Sequence, residues 1–194
     1  MRARPLATSG APGKHENKLA KQRQNKRMQF TLRPWKIEDL DSLVKFANNQ
    51  KIAKNMTDRF PHPYFKENGK IFIESAMNDF PFNILAIDIA GEAAGSIGLH
   101  MQSDIQCKNA ELGYWLAEPY WGKGIITRAV KQMVEYGFKT WEINRIFARP
   151  FGTNTGSQKV LEKGGFKLEA RFEKTFFKNG EYFDEMIYAV RRLA

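Results

Sequence analysis

Cysteine is almost missing from this chain. Cys107 is the only one among 194 residues, so neither an intrachain disulfide nor a cysteine-rich zinc site can form. Histidine is nearly as scarce: His15, His62 and His100 stand far apart with no His-Glu-x-x-His spacing, and no metal is expected. No uncharged apolar stretch approaches the roughly 18 residues of a membrane span, and residues 1–27 hold no apolar core of a secretory signal. That segment also lacks the amphipathic apolar stripe of a mitochondrial leader. The expected site of action is the cytoplasm, without a membrane partner.

Acidic residues are sparse at the N-terminal end. Glu16 stands alone against 8 Lys and Arg in residues 1–27, which places +7 of the formal +10 charge there. Residues 28–194 carry 23 basic and 20 acidic residues and are close to balanced. The leader, with Pro5, Gly10, Pro12 and Gly13, is too polar to bury a core. It reads either as a disordered basic leader or extension, or as an arm that meets RNA or a ribosomal surface through contacts that weaken with salt. Large apolar side chains are plentiful elsewhere, with 15 Phe, 6 Tyr and 4 Trp, which excludes a disordered protein. A single domain over residues 28–194 is expected, large enough to bury roughly 70% of its unfolded surface without staples.

The pattern predicts the order of elements. A short strand ending at Pro34 is followed by helical spacing at Ile37, Leu40, Leu43, Val44 and Ala47, a helical turn near Ile52 and a second helix over 65–78. Three strands follow, over 83–89, 94–102 and 109–116. After Gly124 the period becomes helical, with Ile126, Ala129, Val130, Met133, Val134 and Gly137 on one face. A strand at 145–149, a helix from Asn154 stopped at Gly164-Gly165, and a hairpin turned at Asn179-Gly180 complete the chain. The fold class is α+β, a mixed sheet with helices on both faces.

The stretch that carries chemistry runs from Ala110 to Thr127. A strand passes through a short loop into Gly122-Lys123-Gly124 and directly into an amphipathic helix. Glycines leave room for a ligand against the backbone, and the first helical N–H groups at Ile125, Ile126 and Thr127 have no intrahelical acceptor. An anion belongs there, and a pyrophosphate suits such converging amides. A plain strand-to-helix turn explains the same glycines. A Walker A loop fails at Ala117 and Gly124, and a dinucleotide fingerprint fails at Thr127.

Trp121-Gly-Lys-Gly124-Ile-Ile126 resembles the acyl-CoA motif of the GNAT superfamily of N-acetyltransferases, whose pattern is Gln/Arg-x-x-Gly-x-Gly/Ala. Trp121 and Ile126 depart from it at the two ends. Tyr-Trp-Gly-Lys-Gly is similar to the branch of ribosomal-protein-alanine and serine N-acetyltransferases. Asn154-x-x-Ser157 with Glu162-Lys-Gly-Gly-Phe166, Leu32-Arg-Pro-Trp35, Phe60-Pro-His-Pro-Tyr64 and the Phe177-Lys-Asn-Gly-Glu-Tyr hairpin match further segments in order, so the resemblance spans about 29–190.

The resemblance implies a mostly antiparallel sheet with a splayed central strand pair, and acetyl-CoA as co-substrate. It implies that the backbone at Trp115, Leu116 and Ala117 pairs with the pantetheine arm, while Trp121 to Thr127 seat the pyrophosphate. Glu111 is then the candidate base, directly or through water. Ser157 is a candidate donor to the thiolate, or an ordinary residue of the first helical turn; Leu161 stands where many relatives carry Tyr, which leaves the general acid unassigned. Asn154 is a helix N-cap, a cofactor contact or both. His100 reads as a partly buried structural histidine. A neutral amine, an oxyanion donor and a thiolate proton are what acetyl transfer requires. Three functions remain open: acetylation of a protein N-terminal α-amine, acetylation of a small amine such as a polyamine, amino sugar or antibiotic, and a non-catalytic acyl-CoA or RNA-binding module. A monomer or a homodimer fits equally.

Overall fold

The computed structural model describes residues 28–192. The basic segment 1–27, with the disorder and the RNA contact expected of it, lies outside the described residues.

Strand β1 (Thr31–Pro34) leads through a 3-10 turn into helix α1 (Leu40–Ala47), the short α2 (Gln50–Ala53) and α3 (Lys66–Met77). Strands β2 (Ile84–Ile89), β3 (Glu92–Met101) and β4 (Asn109–Leu116) precede helix α4 (Ile125–Thr140). Strand β5 (Arg145–Ala148), helix α5 (Thr155–Lys163) and the hairpin β6 (Lys167–Lys178) and β7 (Glu181–Arg191) follow. One seven-stranded sheet results, in the order β1-β2-β3-β4-β5-β7-β6. Every pairing is antiparallel except β4 with β5. The expected mixed α+β sheet is therefore present. Its hairpin turns on Asn179 and Gly180, both at positive φ.

Alternation along the strands divides the core into two layers. On one face Ile97 and Leu99 of β3 and Ala110 and Leu112 of β4 pack with Ile125, Val130 and Met133 of α4 and Leu161 of α5. On the other, Ala86, Ala93 and Trp115 meet Trp35, Leu43 of α1 and Ile73 of α3. Helices thus cover both faces. Arg33 of β1 fastens one edge: it donates to Asp39 at 2.6 and 2.8 Å and to Asp88 at 2.7 Å. Asp39 is only 3% exposed, so this guanidinium is what makes its burial tolerable.

The buried stripe of α4 matches the expected one at Ala129, Val130, Met133 and Gly137 and differs at its margin. Ile125, Ala129, Val130, Met133 and Gly137 are buried, whereas Ile126 and Val134 are only half-buried at the margin of the core. The helix begins at Ile125, so the i, i+4 series from that residue points straight down onto the sheet. Gly137 lies where the helix axis comes closest to β3 and β5. A Cβ there would collide with Leu99 Cδ1 and stand 3.2 Å from Ile146 Cδ1. Gly137→Val is accordingly expected to lower stability by about 1–3 kcal/mol through overpacking, read as a lower denaturant midpoint with unchanged secondary structure.

Candidate active site

Strands β4 and β5 stay together for only three positions, Asn109, Ala110 and Glu111 against Arg145, Ile146 and Phe147. Strand β4 continues to Leu116, paired with β3 throughout. The antiparallel ladder alternates, and its end bonds fix the phase: Gln102 N donates to Asn109 O and Ala117 N to Ala94 O. Odd-numbered residues of β4 therefore spend their backbone groups on β3. Tyr114 and Leu116 turn theirs to the side that β5 has left. Of the three backbone positions expected at the pantetheine arm, only Leu116 faces this gap. Trp115 lies in the β3 ladder opposite Ser96, and Ala117 donates to Ala94 and accepts from Tyr120.

The loop after β4 is held from two sides. Glu118 accepts from Asn49 at 2.9 Å and pairs with Lys51, whose ammonium pulls its carboxyl below the ordinary range. The indole N–H of Trp121 donates to Leu116 O at 2.6 Å, folding the loop back on the β4 edge. Gly122 and Gly124 adopt φ of 73° and 70°, and a Cβ on either would meet nothing within 4 Å. Glycine is thus required by backbone conformation and not by crowding within the chain. Gly124 is the N-cap of α4 without a side-chain cap, and Arg128 N is the first helical amide to find its acceptor, on Gly124 O. Among the described residues the amides of Gly122 to Thr127 have no hydrogen-bond acceptor, and they stand at the positive end of the helix dipole. Ile126 packs against the core, so its bulk is directed away from that amide cluster.

The first turn of α5 faces the same gap. Asn154 caps it, accepting from Ser157 N at 3.1 Å through Oδ1. Ser157 Oγ lies 2.7 Å from the phenol oxygen of Tyr114 on β4. Burial pushes the Tyr114 phenol well above its ordinary pKa, so it keeps its proton through the physiological range. Residues from two separate elements are thereby joined across the parting of the strands.

On the opposite face of β4, half-buried Glu111 stands directly across from His100 of β3. His100 is exposed, contrary to the partly buried position expected of it. The reason is local: the position two residues along β4 on this face is Gly113, and the imidazole lies over it, with Nε2 3.5 Å from where a Cβ would stand. Arg149 lies close enough to Glu111 to feel its charge, and is itself anchored on buried Glu185 at 2.5 Å. His100, Gly113 and Trp115 form part of the floor of a cleft of about 510 Å³ under α1, α3 and the loop at 60–64.

Glu111, Ser157, Asn154 and the 121–127 turn thus surround one parting of strands. Tyr114 is not among the residues expected here from the sequence. The alternation of β4, which places it on the α4 face beside the gap, is the signal that marks it. Among the described residues no cluster of three His, Cys, Asp or Glu could hold a metal ion, and no helix is long and apolar enough to cross a membrane.

Known proteins share this fold. Residues 29–167 match the acetyltransferase (GNAT) domain model. A Bacillus subtilis protein provisionally named ribosomal N-acetyltransferase YdaF is 35% identical over 100 residues, 52% of this chain and 54% of that one, so the match spans about half of it. Spermidine N(1)-acetyltransferase of Escherichia coli K12 is 26% identical over 151 residues, 78% of this chain and 80% of that one. Among solved structures, the microcin C7 self-immunity acetyltransferase MccE in complex with acetyl-CoA and AMP superposes with a TM-score of 0.72 at 28% identity, covering 84% of this chain and 93% of that one. With a family match over most of its length, the protein belongs to the GNAT family and is an acyltransferase with acetyl-CoA as co-substrate.

Proposed function

We propose that the chain transfers the acetyl group of acetyl-CoA to the α-amine of a protein N-terminus, with Glu111 as base. The observation that carries this reading is the position of Glu111, at the last paired residue before β4 and β5 part and beside the cleft on the β3–β4 face. An α-amine titrates near 8, so a single carboxylate, acting directly or through one water, suffices to take its proton at neutral pH. A lysine amine near 10.4 would ask for more.

In this reading the amides of Gly122 to Thr127 seat the pyrophosphate of acetyl-CoA. The outward backbone groups of Tyr114 and Leu116, rather than those of Trp115 and Ala117, bond its pantetheine amides. Acetyl-CoA supplies the activated acyl group as a thioester. As the amine nitrogen bonds to the acyl carbon and the carbon–sulfur bond breaks, Glu111 holds the amine proton. The departing sulfur takes a proton from Ser157 Oγ along the Tyr114–Ser157 hydrogen bond; the proton that Glu111 took from the amine passes to solvent, and solvent restores the one given up, so the chain ends in its starting form. Asn154 serves as the cap that fixes Ser157 in the first turn. A small amine acceptor uses the same groups, and the ribosomal and spermidine names of the relatives mark the two acceptor classes.

Three outcomes follow from these assignments. Gly124→Val stays folded but loses acetyl-CoA binding by calorimetry, because a β-branched residue resists φ of 70° and would fill the phosphate seat. Glu111→Gln binds acetyl-CoA like the wild type while kcat/KM at pH 7 falls about 100-fold. That deficit narrows above pH 8, where the amine has already lost its proton; equal rates at pH 7 would remove Glu111 from the mechanism. Tyr114→Phe leaves acetyl-CoA affinity in place and lowers kcat about 10-fold or more, as loss of one proton donor should. An unchanged kcat would show that the Tyr114–Ser157 bond is only structural.

A further inference from the structure

Two glycines lie opposite each other in the middle of the sheet, Gly98 on β3 and Gly113 on β4. Around them the pairs are Ser96 with Trp115 and His100 with Glu111. Alternation places all six residues on one face; a Cβ at Gly98 would stand 2.9 Å from Ile84 Cγ1, so that position is covered, and the open part of the floor is at Gly113, bordered by the His100 imidazole. Gly113 has an ordinary backbone conformation, and a Cβ there would make only van der Waals contact with His100. Neither strain nor crowding within the chain requires glycine at 113. What its absent side chain leaves is room beside Glu111.

The walls above this gap are aromatic. Phe60 lies edge-on to Trp115 at 6.0 Å and packs on Tyr64 at 5.2 Å, with Phe72 opposite. Among the residues lining the cleft there is no Asp or Glu; the one permanent charge is the guanidinium of Arg59. Arg59 is exposed and makes no ion pair among the described residues. The neighbouring carboxylate of Asp58 is already paired with Lys178 of the hairpin, at 3.3 Å. The nearest carboxylate on this face of the sheet is Glu111, outside the lining and paired across the strands with the lining residue His100, enough for one amine and no more.

Resting on the acetyltransferase reading above, we propose that the acceptor is a primary amine on an apolar body with no second cation: an N-terminal α-amine whose first side chain is apolar and is followed by an acidic residue. The apolar side chain lies on Phe60, Tyr64 and Trp115, and the amine lies over Gly113, between His100 and Trp115. The acidic group faces Arg59. A polyamine would have to bury further ammonium groups beside Arg59 without a carboxylate. Ring faces hold a cation too weakly to offset desolvation and like-charge repulsion together. Charge complementarity therefore selects against the polycation.

The test is acetyl-CoA turnover by the full chain on three acceptors: C-terminally amidated Phe-Asp-Ala-Ala, its Phe-Lys-Ala-Ala counterpart, and spermidine. The expected kcat/KM for the acidic peptide is at least 10-fold above the lysine peptide, with spermidine lowest. Arg59→Glu should reverse the order of the two peptides, and Gly113→Val should abolish transfer to both with acetyl-CoA affinity unchanged. If Gly113→Val does not fold, Gly113→Ala is expected to raise the peptide KM alone. Spermidine turnover equal to or above that of the acidic peptide, or a preference untouched by Arg59→Glu, overturns the proposal and leaves the acetyltransferase reading standing. Failure of every amine overturns both.

Discussion

The site depends on one constraint, the parting of β4 from β5 after Glu111. A strand in the middle of a sheet normally satisfies both edges, and leaving a central edge open costs hydrogen bonds that something else must supply. Here β4 keeps its full ladder with β3, so the strand is held straight while β5 follows β7. The consequence is an interior edge with backbone donors and acceptors in fixed phase. Everything else is arranged around that gap. The α4 N-terminus closes one end, the α5 cap and Ser157 line the far side, and the glycine floor opens on the reverse face.

Polarity divides the site as cleanly as geometry does. The turn into α4 offers backbone amides and a helix dipole, which attract an anion without committing a side-chain charge. In the middle, the Tyr114 phenol, protonated through burial, touches Ser157. The cleft on the reverse face is aromatic, with one guanidinium at its wall and the carboxylate of Glu111 beside it, across the strands from His100. The held ion pairs, Glu118 with Lys51 and Arg149 with Glu185, sit outside the gap and fix the loop and β5 beside it.

Much of the fold is legible in the residues. Strand β4 is expected over 109–116 and occupies Asn109–Leu116; the hairpin follows from Asn179-Gly180, whose turn geometry few other pairs accept. Periodicity of 3.6 locates α4 and its buried Ala129, Val130, Met133 and Gly137, but centres the stripe on Ile126 and Val134 where Ile125 goes deepest, because two adjacent i, i+4 series compete and only the sheet beneath decides between them. The amide-lined turn is legible because its glycines act through backbone conformation, which is local. Which β4 residues face the gap is not, since the ladder phase is set by pairing with β3 and not by side-chain identity. Tyr114, His100 and the open floor at Gly113 are hidden for the same reason: their significance arises from cross-strand neighbours far away in the chain.

Residue-resolved amide exchange, with and without acetyl-CoA, tests the open β4 edge most directly. The account predicts an alternation: the amides of Tyr114 and Leu116, together with those of Gly122 to Thr127, gain protection on binding, while Gly113, Trp115 and Ala117, already bonded to β3, change little. Protection spread evenly along β4, or confined to regions away from it, would contradict the claim that acetyl-CoA binds as the missing neighbour of this strand.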